Sequence, residues 1–194
     1  MIADLPDKKY SVILADFPWA HYGSPNKHAA AGKHYPLMPD VEVLSFPMAD
    51  LLAKPGVVFI WATGPRLDFV ISCIEVWGLW YRGLAFNWIK VRKDGTPIGA
   101  QGVRPSVVKP LTELCLVAST EKRGRPLPLA SESVVQTIFA SRRAHSQKPD
   151  ECIARIDALY PTVRKLELFG RGSPANDMWD MWGDEAEAST AVRL

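Results

Sequence analysis

Two short runs constrain this chain more than anything else in it. Tyr10 to Asp16 (YSVILAD) and Gly56 to Thr63 (GVVFIWAT) are almost unbroken apolar segments. They are too short to span a membrane and lack the alternation of a half-exposed strand, so each reads as a strand buried on both faces. Further strands are expected within Leu79 to Lys90 and at Thr112 to Ala118, Val134 to Ala140 and Arg164 to Phe169. Between them, Asp40 to Leu52 reads as one broken or two short helices, with Asp40 able to cap and Pro47 interrupting. Pro65 to Trp77 reads as a well-buried helix with Pro65 in its first turn and Gly78 past its end. Asp150 to Tyr160 carries Cys152, Ile153, Ile156 and Leu159 at helical spacing. Continuous apolar strands separated by helices imply an α/β fold, a mostly parallel sheet with helices on both faces. Ligands then bind beyond the carboxyl ends of the strands.

At 194 residues the chain is expected to form a single domain over 1–194, its last ten or so residues a flexible tail. A net charge of +2 does not announce a polyanionic partner, although Lys90–Lys93, Lys122–Arg125 and Arg142–His145 are local basic clusters that could meet phosphates. Cys73, Cys115 and Cys152 lie far apart, with no metal-ligand spacing, and read as buried, reduced thiols. That usage, and an N-terminus without a signal pattern, lead to an expectation of a cytoplasmic protein. Segments 20–35, 91–110 and 119–133 hold many of the Gly, Pro and basic residues and resist assignment, as functional loops do.

The first strand runs into an unusual turn, Asp16-Phe17-Pro18-Trp19. Pro18 biases Phe17 to an extended conformation, which can aim the Phe17 carbonyl outward beside the Asp16 carboxylate. Two acceptors and the flat face of Trp19 suit a planar group carrying an exocyclic amine, such as adenine or cytosine. Taken alone, the tetrapeptide reads first as a turn capped by Asp16, a strand ended by Pro18 and a core Trp19.

Asp16-Phe17-Pro18-Trp19 resembles the Asp-Pro-Pro-Trp signature of the adenine-N(6) methyltransferases related to the catalytic subunit of the mRNA adenosine methyltransferase, the "MT-A seventy" family. In the same order, Tyr35-Pro36-Leu37-Met38 resembles its Tyr-x-x-Met segment, Trp61-Ala62-Thr63-Gly64 its Trp-Val-Thr-Gly strand end and Asn87-Trp88-Ile89-Lys90 its Trp-Val-Lys strand. Glu113-Leu114-Cys115-Leu116-Val117 is similar to its Glu-x-Cys-Leu-Val strand. Ser146-Gln147-Lys148-Pro149-Asp150-Glu151 is similar to its Ser-x-Lys-Pro-Asp-Glu motif, and Arg164 to Arg171 to its Arg-Lys-x-Glu-Leu-Phe-Gly-Arg motif. The likeness runs over about residues 10–184.

The resemblance implies a Rossmann-like, S-adenosylmethionine-dependent methyltransferase with permuted motif order, needing no metal. Asp16 and the Phe17 carbonyl would accept the two hydrogens of an adenine amine, within the catalytic turn Asp16-Phe17-Pro18-Trp19. Trp19 and Tyr35 would wall or stack the base, which a duplex must first flip out. Glu113 is expected on the substrate side, as are His21 and Tyr22 in a loop that would close over the base. On the donor side the resemblance implies Lys148 near the donor's carboxylate with Arg171 nearby, Glu167 on the ribose hydroxyls, and Leu168 and Phe169 lining the pocket. Asp184 stands where the family has a Gly-Asn-Gln turn, and Asp4 is a candidate for the donor's adenine amine.

Phe17 replaces the family's usual proline, which would leave the carbonyl less rigidly held. After Arg171 the family's Pro-His-Asn becomes Gly172-Ser173-Pro174. The compact chain suggests a prokaryotic or phage enzyme acting on DNA, with RNA as the alternative substrate and a homodimer as one way to read a target. A non-catalytic nucleic-acid-binding homologue is the competing class, and intact Asp16, Trp19, Lys148 and Glu167 speak against it. The absence of GxGxxG after a first strand and of GxxxxGK[ST] speaks against nicotinamide chemistry and nucleotide hydrolysis.

Overall fold

A computed structural model describes residues 5–19, 37–99, 108–143 and 147–186. The apolar runs form the centre of a seven-stranded sheet. Strand β1 (Tyr10–Ala15) pairs in parallel with β2 (Leu52–Ala62) on one side and with β6 (Lys165–Leu168) on the other. Beyond β2 lie β4 (Thr112–Ser119), β3 (Trp80–Val91) and β5 (Thr137–Ser141); beyond β6 lies β8 (Trp179–Trp182). Only β4 runs antiparallel to its neighbours. Two-residue strands β7 (Arg171–Gly172) and β9 (Glu185–Ala186) pair apart from the sheet.

Alternate residues of the central strands feed two cores. Ile13, Ala15, Val58 and Ile60 face α1 (Asp40–Leu44), α2 (Met48–Leu51) and α3 (Leu67–Val76), whereas Val12, Leu14, Phe59 and Trp61 face α4 (Asp150–Leu159). Helices therefore cover both faces, and strands buried on both sides have no polar alternation to show. All three cysteines are buried free thiols.

Several expectations need correction. Asp40 caps nothing: α1 begins after Pro39, and the Asp40 carboxylate instead forms a bidentate pair with buried Arg66 at 2.6 and 3.1 Å. Leu52, read as the end of a helix, instead begins β2, which starts four residues before the expected Gly56. Helix α3 begins after a 3-10 turn, Gly64–Arg66, and only Val70, Cys73 and Ile74 of it are buried, while Val76 is 63% exposed. Its apolar breadth is therefore not matched by burial. Strand β8 has no counterpart in the sequence reading, because WDMW is too short to show a period.

The chain crosses from β1 to β2 on one side and returns to β6 on the other, so the sheet order reverses at β1. In open α/β sheets that reversal leaves a crevice at the carboxyl ends of the strands. The turn Asp16-Phe17-Pro18-Trp19 follows β1 directly, and the Glu-Leu-Phe-Gly-Arg motif ends β6 beside it.

Candidate active site

Asp16 follows the last residue of β1, and its amide donates to the Leu168 carbonyl at 3.3 Å, closing the turn against β6. The Met38 amide donates to the Pro18 carbonyl at 2.8 Å. Among the described residues nothing donates to the Phe17 carbonyl, so it stays available beside Asp16.

The Phe17 side chain turns the other way. It is 3% exposed and sits among Trp19, Phe46, Trp77 and Phe169, with ring centroids 4.7–5.8 Å apart. Where the turn lacks a proline ring, this aromatic cluster holds it, and the expected looseness is offset by packing. Trp19 stacks on Phe17 and meets the edge of Phe69, leaving 6% of its surface exposed, so it packs as a core residue.

A chain of alternating charges runs across the strand ends. Lys148, in the loop before α4, reaches Asp16 at 2.6 Å and Glu113 of β4 at 3.3 Å; Lys90 of β3 closes on the far oxygen of Glu113. Two tryptophans floor it, Trp61 under Lys148 (5.7 Å) and Trp88 under Lys90 (4.9 Å). Burial raises the pKa of Asp16, with Lys148 and its hydrogen bond working against that and Glu113 adding to it. Glu113 is also pushed up by burial, but flanking Lys148 and Lys90 outweigh this and hold it below its ordinary value. Burial would lower Lys148, yet its two carboxylates raise it, so it stays a cation. Sequence reading assigned Lys148 to the donor and Glu113 to the substrate; the structure joins both to Asp16 and adds Lys90, which local patterns could not link to them.

A cavity of about 160 Å³ opens beside this chain, lined among others by Asp16, Trp61, Lys148, Glu167, Phe169 and Arg171. Glu167 makes no side-chain hydrogen bond or ion pair among the described residues. Burial, with Asp16 and Asp150 adding repulsion, pushes its carboxyl up to about 7. Phe169 holds a left-handed backbone (φ 60°), unusual for a bulky residue, and its amide donates to the Trp182 carbonyl. The tight approach needs glycines: a Cβ on Gly183 would lie 2.9 Å from the Gly170 carbonyl, and one on Gly170 would strike Met181. Leu168, buried, lines the cavity too.

Thus Asp16, Lys148, Glu167, Leu168, Phe169 and Arg171 converge on one cavity, and Glu113 reaches it through Lys148. Asp184 is exposed and not part of the lining. Asp4, His21, Tyr22 and Tyr35 lie outside the described residues. Trp61, Asp150, Cys152 and Ile153, which the sequence reading left without a role, also line the cavity; Trp61 and Asp150 stand inside matched motifs, which was the available signal.

The match to the family model MT-A70 covers residues 10–185. The chain belongs to the MT-A70 family. It is 32% identical to the type II methyltransferase M.MunI of Mycoplasma sp, over 93% of this chain and 79% of that protein. It is 30% identical to the N(6)-adenosine-methyltransferase MT-A70-like protein of Drosophila melanogaster and 29% to the N(6)-adenosine-methyltransferase catalytic subunit METTL3 of Homo sapiens. Those matches cover 95% and 92% of this chain but 28% of either relative. The sheet is consistent with the Rossmann-like methyltransferase fold, and MT-A70 methyltransferases generally use S-adenosylmethionine. The cavity fits such a donor: Glu167, a carboxylate without a partner among the described residues, suits ribose hydroxyls, and the Lys148 cation suits a carboxylate.

Proposed function

We propose that this protein transfers a methyl group from S-adenosylmethionine to the 6-amino group of adenine in nucleic acid, with DNA preferred to RNA. The observation that carries the reading is that Asp16, the acceptor for the amine, lines the same cavity as Glu167, Phe169 and Arg171 of the donor motif. Bound S-adenosylmethionine would supply an electrophilic methyl group on a sulfonium. Asp16 and the Phe17 carbonyl accept the two amine hydrogens, which turns the nitrogen lone pair out of ring conjugation and toward the methyl. Proximity and orientation then lower the barrier. The proton released from the methylated nitrogen passes to Asp16 or to water. Glu167 accepts hydrogen bonds from the donor ribose, Lys148 and Arg171 face its carboxylate region, and Leu168 and Phe169 exclude water.

A base inside a duplex cannot reach this crevice, so it must be flipped out. DNA is favoured because the likeness to the type II methyltransferase M.MunI, 32% identity over 79% of that protein, is higher and covers more of the relative than the likeness to METTL3, 29% over 28%. The deciding experiment incubates the protein with labelled S-adenosylmethionine and single- or double-stranded DNA or RNA, then identifies the modified nucleoside. N(6)-methyladenine in DNA is the expected product. Methylcytosine would overturn the base, transfer to RNA alone would overturn the polymer, and nucleic-acid binding without donor binding would support an inactive homologue.

A further inference from the structure

The three basic clusters of the sequence do not share a location. Lys122, Arg123 and Arg125 follow the carboxyl end of β4, beside Trp80, which begins β3; Lys122 lies over the Trp80 ring at 4.5 Å, and Arg82 ties down the Glu121 and Gly124 carbonyls. The carboxyl end of β1 lies in the opposite direction: Lys90 is about 33 Å from Trp80 along β3, and Asp16, level with Phe86, is about 20 Å from Trp80 along the same direction. That cluster is therefore on the wrong side of the molecule to serve the cavity.

The remaining two merge. Strands β3 and β5 are parallel, with Val91 opposite Ser141, so Arg92 and Arg142 leave the sheet side by side at the end where Asp16 lies. The turn after β3 carries Lys93, and the segment entering β4 brings Lys109 against Gly99, next to the Lys90 carbonyl that the Ile98 amide holds. Arg92, Lys93, Lys109 and Arg142 are all exposed. Lys93, Lys109 and Arg142 have no ion-pair partner among the described residues, and Arg92 donates only to the neutral Thr96 hydroxyl. Of the nearby carboxylates, Glu113 belongs to its lysines and Asp150 to Arg143; Asp94 is held within its turn by Thr96. Four cations against one local carboxylate make a strip of unneutralised charge.

We infer that this strip, Arg92, Lys93, Lys109 and Arg142, binds the phosphate backbone of the nucleic-acid strand on one side of the target adenine. The inference rests on the reading of the cavity as an adenine-methylating site. Adjacent strands lie about 4.8 Å apart, so β3 and β5 stand about 15 and 19 Å from β1. Asp16 is level with Phe86 and Gln136, so Arg92 and Arg142 also stand about 20 Å further along the strands, about 25–28 Å from it in all. At about 3.4 Å of rise per nucleotide, the strip meets phosphates roughly seven to eight nucleotides from the base. Binding is one-sided: Asp16 lies off-centre, and the strip extends from it only toward β5.

The test measures affinity for a fluorescent adenine-containing DNA oligonucleotide against salt concentration. K93Q, K109Q and R142Q are each expected to weaken binding and to flatten the log–log salt slope by about 0.7–0.9, one phosphate contact apiece. Donor affinity by calorimetry and the melting temperature are expected to stay unchanged. The pair K122Q and R123Q, at the far end, serves as the control and is expected to leave the slope as it is. Oligonucleotides lengthened on one side of the adenine are expected to gain affinity up to about eight nucleotides, and those lengthened on the other are not. A slope that ignores K93Q, K109Q and R142Q, or follows K122Q and R123Q equally, would overturn the strip even if adenine is methylated. Binding that follows the strip while no methyl group is transferred would keep the strip and sink the catalytic reading.

Discussion

Glu167 is held in the cavity wall at a cost in stability. With its carboxyl pushed up to about 7, the folded protein holds a proton there that the unfolded chain has already released. Stability is therefore greatest below the ordinary glutamate range and is lost as pH rises through about 7. Glu167→Gln removes that penalty and is expected to stabilise the ligand-free protein at pH 8 by about 1–3 kcal/mol, read by denaturant melts at pH 5 and 8. The same variant is expected to weaken donor binding above pH 7, because an ionised carboxylate accepts ribose hydroxyls more strongly than an amide. In the wild type, donor affinity measured by calorimetry is expected to fall as pH drops below about 7. Identical donor affinity at pH 6 and pH 8 would count against the ribose role. For Asp16, substitution by Ala is expected to cut turnover by about a hundredfold or more with the fold retained, as checked by methyl transfer and circular dichroism.

At the scale of elements, the turn after β1 is held by what its side chains pack against. Pro18 was legible as the residue that ends the strand. That Phe17 anchors the turn was not, since its partners Phe46, Trp77 and Phe169 come from three distant segments. Phe17→Ala opens a cavity inside this cluster and is expected to cost about 3–5 kcal/mol in urea unfolding. Phe17→Pro, which restores the family residue, is also expected to destabilise, because the ring contacts are lost with no aromatic to replace them. The long motifs placed β6 and α4 to within a residue or so of their observed ends. Boundaries failed where tertiary pairing overrode local pattern, as at Leu52 to Pro55, drawn into β2, and at Asp40, drawn to Arg66.

Across the whole molecule, the charge chain Lys90–Glu113–Lys148–Asp16 draws its members from β3, β4, the segment before α4 and the turn after β1. Removing its second member tests whether it acts as a unit. Glu113 raises the pKa of Asp16, so Glu113→Gln is expected to lower it and move the acid limb of the kcat/KM profile to lower pH. An unmoved limb would mean that Asp16 does not sense the chain. Donor binding should also be felt globally: at a hundred times its Kd, S-adenosylmethionine is expected to add about 2.7 kcal/mol, or roughly 5–10 °C in Tm.

Sequence alone pointed to an α/β protein with a buried sheet, since short apolar runs rich in branched and aromatic residues alternate with segments of helical spacing. It also determined the family and the motifs that supply the site, because each motif is a local string. Tertiary structure decided which charges meet. Lys148 joins Asp16 to Glu113, and only two of the three basic clusters reach the end of the sheet that bears the cavity. Those facts depend on strand order and direction, and nothing within a single segment encodes which strand it will lie beside.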